Sequence, residues 1–418
     1  MMTNARMKIR GKLPEEPEIP SHVPLELVME PMAWDDTTTD ADAFSITERA
    51  LDELPPIFFS PRPRYGVSPP AWVVTHHADI RRVYERGELY STKGAAGFNQ
   101  LVGETFPMIP LGIDPPLHGK YRMFLNPKFS PRAIADMETA IQKSINDLID
   151  GFVDKGSCDA AYEFGRVYPV QVFLDLMGFP QNKLEDFLSW GYAILHTFGD
   201  IEKIQWGMGN AINWLREFVE ETRGKPSDSL TSYIVHGEID GRPLTDDEII
   251  GTLTFLWLGG LDTVAATTAL MFRRLAMQPE LQQQLRDNPD LINNAVEEFL
   301  RMAPLVNSAR LVKQDHEIRG IQIKAGDWII CANNVGNFDP EQFPDPREVR
   351  FDRASNRHFS FAGGPHLCLG IHLARRELRI ALGEFLRRVP PFTLAPDAPR
   401  EAFPGLIAAP RVPIVWTV

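Results

Sequence analysis

Phe361-Ala-Gly-Gly364-Pro-His366-Leu-Cys368-Leu-Gly370 runs directly into Ile371–Arg388, whose apolar spacing predicts a helix. This places a cysteine in a tight, glycine-bearing loop at a helix N-terminus. Free amides and the helix dipole there favour a thiolate, so the thiol is expected to have a lowered pKa. Gly364 and Gly370 are expected to let the backbone pass close to a flat, bulky group and to the sulfur. A phosphate loop is excluded, because no Lys-Ser/Thr pair follows the glycines. The other two cysteines, Cys158 and Cys331, lack such surroundings and read as small buried hydrophobes.

Upstream, Thr245-Asp-Asp-Glu248 forms a capping box, in which the Thr hydroxyl and the Glu carboxylate close first-turn amides reciprocally. A continuous helix is expected over Ile249–Met277, stopping before Pro279. Its stretch Ile249–Phe272 is long and apolar enough to raise a membrane-spanning alternative. Asp262, the Gly259-Gly260 pair and the threonines argue instead for a helix buried through a protein core. Two adjacent glycines cost about 2 kcal/mol of helix propensity. They suit either a close approach of something to the backbone or a helix–helix crossing, and the buried Asp262 beside Thr263 suits either function or structure.

Composition narrows the class. The chain has 418 residues, 44% hydrophobic and 24% charged, which is ordinary for a soluble globular protein. With 43 basic against 56 acidic residues the net charge is −13, which disfavours nucleic-acid and membrane-surface binding. Three scattered cysteines argue against a disulfide framework, and Met1–Pro20 lacks a signal-peptide pattern, so a cytoplasmic protein is expected. Eleven of the 35 prolines fall before residue 71, predicting extended chain until a helix near Asp79–Glu88. Helical spacing dominates from Pro131 to about Gly237, in residues such as Ile134, Met137, Ile141, Ile145, Leu148 and Ile149. Short β runs follow at Ala309–Val312, Ile318–Ile323 and Trp328–Cys331. The whole reads as mainly α with a smaller β region.

The Phe361–Gly370 segment resembles the haem-binding loop of the cytochrome P450 family, with His366 where that family more often has Arg. The resemblance implies the P450 fold, a single large domain at 41–418 around a buried haem b, preceded by an extended segment at 1–40. It makes Cys368 the axial ligand of the haem iron, a donor that favours O–O cleavage. Glu298-Phe-Leu-Arg301 and Phe351-Asp-Arg353 are similar to the family's structural charge trio, Glu298, Arg301 and Arg353. Gly259, Gly260, Asp262 and Thr263 match its oxygen-binding groove, with Asp262 and Thr263 in the catalytic proton relay. His118, Arg122, Arg310 and His366 correspond to donors to the haem propionates, and Phe361 and Gly370 to the haem-facing loop. The wording of Gly259–Val264 and Leu367–Glu377 resembles that of the bacterial soluble class that includes camphor monooxygenase.

The same resemblance puts Phe98, Phe106, Phe255, Leu258, Val306, Leu406 and Ile407 around the substrate. Phe106 falls where camphor monooxygenase has a ketone-binding tyrosine, and Phe has no hydrogen bond to donate. The expected function is monooxygenation with O2, hydroxylating a small hydrophobic molecule such as a terpenoid or norisoprenoid. The chain carries no flavin or nicotinamide fingerprint, and the resemblance implies a [2Fe–2S] ferredoxin with its flavoprotein reductase. The basic run His372, Arg375, Arg376 and Arg379, with Lys120 and Arg122, is either a docking face for that partner or simply solvated surface. The alternatives are a peroxide-driven hydroxylase, which has no use for the Asp262–Thr263 pair, and a haem-thiolate sensor, which usually carries an output domain.

Overall fold

Ile141, Ile145 and Ile149 recur every four residues and are fully buried, the inner face of one helix in a mainly helical architecture. The computed structural model describes residues 18–29, 52–61, 63, 69–95, 97–197, 200–399 and 409–418. Ten helices position the site: α1 (His77–Glu85), α2 (Leu117–Leu125), α3 (Glu138–Asp150), α4 (Val167–Met177), α5 (Leu184–Leu195), α6 (Ile201–Arg223), α7 (Asp246–Leu261), α8 (Thr263–Met277), α9 (Ile292–Met302) and α10 (Ile371–Arg388). Helix α7 begins at the capping box: Thr245 N–H donates to Glu248 at 2.8 Å and Glu248 N–H to the Thr245 hydroxyl at 3.3 Å. Of the most apolar window of the α7–α8 stretch, 67% is buried inside the protein, which answers the membrane alternative with a core helix.

The smaller β region centres on strands β1 (Ile57–Ser60), β2 (Ala71–Val74), β3 (Tyr90–Ser91), β4 (Ser308–Val312) and β5 (Trp328–Cys331), in the order β1-β2-β5-β4-β3. Only β2 and β5 run parallel. The run at Ile318–Ile323, with a turn expected at Gly320, belongs to a hairpin in which Arg319 and Gly320 adopt φ of 49° and 83° and turn the chain. A second sheet pairs Pro413–Trp416 with Phe392–Leu394 and with Ser157–Asp159. Residues 18–29, within the segment read as a separate extended lead, pack onto the first sheet. Met29 N–H donates to the Phe59 carbonyl at 2.9 Å, and Val23 is buried.

One departure and one expected cluster matter for the site. The helix expected over Ile249–Met277 is divided: α7 ends at Leu261 and α8 starts at Thr263, with Asp262 between them at φ −120° and ψ −26°. The Glu298, Arg301 and Arg353 charges are gathered into one buried network. Arg301 donates to Glu298 at 2.9 and 2.8 Å, and Arg353 Nε to both Glu298 oxygens at 3.0 and 3.1 Å. Arg301 also reaches the carbonyls of Asn337 and Pro346, both at 2.9 Å, tying α9 to the meander before the cysteine loop.

Burial works against ionising Glu298, but hydrogen bonds from Arg301, Arg350 N–H and Arg353 outweigh it and hold its carboxyl below the usual value. Removing one member strands the others in a dry core. Arg301→Ala is therefore expected to destabilise the protein by about 3–5 kcal/mol in urea unfolding. A depressed carboxyl contributes stability that is complete above its unfolded pKa and lost as pH falls through the folded one. The urea midpoint should accordingly drop on acidification below about pH 4.5, and Glu298→Gln should flatten that drop.

Candidate active site

Helices α7 and α8 are buried along most of their length, yet Phe255, Leu258, Gly259, Asp262 and Thr263 are only partly covered or exposed. Their spacing of three and four residues makes one stripe, and a stripe of exposure on a core helix lines a cavity. The two glycines have different reasons to be there. A Cβ on Gly259 would meet no atom within 4 Å, so this backbone faces open space. A Cβ on Gly260 would lie 2.5 Å from the ring of Phe173 on α4, so Gly260 serves a helix crossing.

At the break, Asp262 Oδ1 lies 2.9 Å from His196 Nε2, at the C-cap of α5. Asp262 Oδ2 is buried with no hydrogen-bond partner among the described residues. The Thr263 hydroxyl donates to the Gly259 carbonyl at 3.2 Å. No sequence signal marks His196, a lone histidine 66 residues before the acid it meets.

The cysteine loop is closed by its own backbone: Cys368 N–H donates to the Phe361 carbonyl at 3.0 Å and Leu367 N–H to Gly364 at 3.1 Å. Gly370 has open space where a Cβ would be. Gly364 does not face a cavity. It adopts φ +65°, and a Cβ there would lie 2.0 Å from the Tyr84 carbonyl, so α1 rather than a bound group requires this glycine. The expected low thiol pKa is also corrected. Burial pushes the Cys368 thiol up, and the Gly370 N–H, Arg122 and Arg375 offset this only in part. Deprotonation then falls to a bound metal, since a coordinating thiol loses its proton to the cation.

Beside the loop, His118 and His366 sit with ring centroids 3.9 Å apart. Burial, then Arg122, pushes His118 down to about 4 against the pull of Asp114. Burial, then His118 and Arg310, pushes His366 down to about 3. Both rings are therefore neutral near pH 7. His118 Nε2 is buried without a partner among the described residues. Arg310 is buried with its guanidinium 5.1 Å from the Tyr84 ring centre, and Arg122 Nη1 donates to the Leu367 carbonyl at 2.6 Å. Asp114 stands one layer behind, held by Ser91 at 2.6 Å and Thr92 N–H at 3.0 Å. An orphaned nitrogen among imidazoles and guanidiniums calls for an acceptor-rich anion. These residues fit the dianionic edge of a haem, and the open faces of Gly259 and Gly370 fit its flat body.

The apolar set is divided among several elements. Phe106 is buried against α7, where a Cβ on Gly251 would come within 3.4 Å of its ring. Phe98 opens the 3-10 turn Phe98–Val102, Phe255 and Leu258 lie on the exposed stripe, and Val306 after α9 is 46% exposed. Leu406 and Ile407 lie outside the described residues. Half of the basic run is paired with acids in place. Arg375 donates to Glu297 at 2.7 and 2.6 Å, Arg376 pairs with Glu138, Arg379 reaches Asn293 at 3.2 Å, and Lys120 pairs with Asp240.

A cysteine loop with anion donors beside it, together with a core helix whose backbone is open at Gly259, fits a haem-binding enzyme site. The sequence pattern of the family described as Cytochrome P450 matches residues 202–416. Probable cytochrome P450 127A1 of Sinorhizobium fredii is 35% identical over 392 residues, covering 92% of this chain and 94% of that protein. Steroid C26-monooxygenase of Mycolicibacterium smegmatis is 29% identical over 341 residues, 79% of this chain and 84% of that one. The crystal structure of CYP101J2 superposes with a TM-score of 0.84 at 30% identity, covering 96% of this chain and all of that one. The chain belongs to the cytochrome P450 family. It is a haem-thiolate monooxygenase whose cofactor is haem b, acting with O2, a substrate and a redox partner.

The two glycines predict opposite outcomes. Gly260→Ala is expected to overpack against Phe173 and cost about 1–3 kcal/mol in urea unfolding. Gly259→Ala should leave unfolding stability within about 1 kcal/mol of the parent while altering ligand affinity.

Proposed function

We propose that this P450 hydroxylates a compact apolar molecule, a terpenoid or norisoprenoid, with electrons from a [2Fe–2S] ferredoxin and its flavoprotein reductase. The observation that carries the substrate class is the lining: Phe98, Phe106, Phe255, Leu258 and Val306 offer no side-chain donor or acceptor. The names of relatives are no guide here, since they include a mycinamicin IV hydroxylase/epoxidase and a steroid C26-monooxygenase.

When bound, haem supplies O2 activation and C–H oxidation. In this reading Cys368 ligates the iron, and Phe361 and Gly370 shape the loop around it. His118, Arg122, Arg310 and His366 hold the propionates by donating from one side. Gly259 gives the cofactor and O2 access to the helix backbone. Thr263, whose hydroxyl now donates to Gly259, holds a proton beside that space, and Asp262 carries protons to it from outside. The apolar walls orient substrate and exclude water.

For the ferredoxin, the pairing of Arg375, Arg376 and Lys120 leaves less free positive charge than the sequence suggests. Met123, beside Arg122, and Leu367, beside Cys368, are exposed at 72% and 38%. The docking face is then an apolar pair rimmed by paired charges, and we take the protein to be cytoplasmic. Steering by a partly paired run is weakened, so reduction should slow only modestly with salt, and Met123→Glu should slow it more than salt does.

The test of substrate class is titration of the ferric protein with a terpenoid ketone and its parent hydrocarbon, read as the haem spin-state change. Without a donor at Phe106 the two should bind within about fivefold, and Phe106→Tyr should favour the ketone by about fivefold, the equivalent of a 1 kcal/mol hydrogen bond. A strong ketone preference in the parent protein would overturn this assignment. Thr263→Ala is expected to keep consuming reductant while releasing hydrogen peroxide in place of product. Full coupling in that variant would remove Thr263 from the proton path.

A further inference from the structure

The loop that carries Phe106 is fastened from inside by one buried amide. Asn99, in the 3-10 turn Phe98–Val102, is 3% exposed, and its Nδ2 donates to the Phe106 carbonyl at 2.8 Å and the Glu104 carbonyl at 3.4 Å. Both partners are carbonyl oxygens, which only accept, so the NH2 end of the amide faces them. Glu104 N–H returns to the Asn99 carbonyl at 3.1 Å, and Gly103 turns the chain between them at φ +79°. Two further elements hold the same loop. A Cβ on Gly251 of α7 would lie 2.0 Å from the Pro107 carbonyl and 3.4 Å from the Phe106 ring. On the outer side, Arg216 of α6 pairs with both Glu104 oxygens at 2.8 and 2.7 Å, and Gln205 Nε2 donates to the Leu101 carbonyl at 2.7 Å.

Helical spacing shows where this fastening matters. Gly251, Phe255 and Leu258 stand at i, i+4 and i+7 on α7 and so share one face. Gly251 is buried against Phe106 and Pro107, whereas Phe255, one turn on, is only partly covered. Phe106 therefore stands where the open stripe of α7 closes. The two polar anchors differ in strength. Arg216 is 45% exposed and Glu104 23%, so solvent and salt weaken that pair. The Asn99 amide is dry, and removing its donors would strand buried carbonyls. We propose that Asn99 is a specificity-determining positioning residue: its amide pins the Phe106 backbone and so fixes the ring as a preformed wall of the substrate cavity. This rests on the reading of Phe106 as part of the lining. It adds what keeps that wall in place.

The test uses the ferric holoenzyme and two iron-binding probes, imidazole and 4-phenylimidazole, each read as the shift of the haem absorption band. The small probe reports access to the iron, and the larger one also reports the wall that its phenyl ring meets. Asn99→Asp, isosteric but without the N–H donors, is expected to weaken 4-phenylimidazole binding about fivefold and to leave imidazole binding nearly unchanged. Asn99→Gln, which keeps the donors, should regain part of that loss. Arg216→Gln, or added sodium chloride with the parent protein, should change the ratio of the two affinities by less than about twofold. In a Phe106→Ala background, Asn99→Asp should leave the ratio where Phe106→Ala alone puts it. If Phe106→Ala does not move the ratio, Phe106 is no wall, and the lining reading fails together with the positioning role. If Phe106→Ala moves it and Asn99→Asp does not, the positioning role is wrong and the lining stands. Equal losses in the aspartate and glutamine variants, or for both probes, would also overturn the role, because neither the donors nor the wall would matter. So would an effect of Arg216→Gln as large as that of Asn99→Asp, since the outer pair would then be the anchor. Should Asn99→Asp fail to retain haem, Asn99→Ala against Asn99→Gln makes the same comparison without a buried charge.

Discussion

The Glu298–Arg301 pair, fully buried and stripped of water, is the contact on which the cysteine loop depends. Such a pair is tolerable only when every lone pair and N–H finds a partner. Here the partners come from the chain that leads into the loop. Arg301 takes the carbonyls of Asn337 and Pro346, while Arg353 and Asn356 converge on Glu298. Asn337 in turn receives Phe359 N–H at 2.8 Å, and the Ser360 hydroxyl donates to the Leu300 carbonyl. The satisfaction of one buried ion pair thus places Phe359 and Ser360, and so the start of the loop that carries Cys368.

On the opposite wall, a helix has to cross the core and still leave room beside it. The chain meets both demands by dividing the labour of Gly259 and Gly260. One lets Phe173 pack closely and keeps α7 seated on α4; the other leaves its backbone open to the cavity. The break at Asp262 then turns a side chain that costs energy in a helix interior into one that reaches α5. Beside the cysteine loop, burial pushes the His118 and His366 imidazoles down, while Arg122 and Arg310 stand next to them.

Elements whose signal is local were legible. The capping box at Thr245–Glu248, the helical face Ile141, Ile145 and Ile149, and the β run Trp328–Cys331 need only neighbours in the chain, and all lie where their spacing predicts. The pairing of Ser157–Asp159 with Pro413–Trp416 was not legible, because three residues carry too little pattern to name a partner more than 250 positions away. The charges of α10 were open for a related reason. The run reads either as a docking face or as solvated surface, and the sequence does not show that Glu297 and Glu138 come from α9 and α3 to pair with Arg375 and Arg376.

By itself the sequence determined the helical class, the cysteine loop with its glycines, and the residue types able to hold a haem edge. These follow from spacing within one segment, where propensity and periodicity act. Only the tertiary structure decided what each of those residues faces. Gly364 answers to the Tyr84 backbone, burial pushes the Cys368 thiol up, and Asp262 finds His196 across the gap between two helices. Contact, desolvation and hydrogen-bond satisfaction depend on which distant segments meet, and that is settled when the whole core closes.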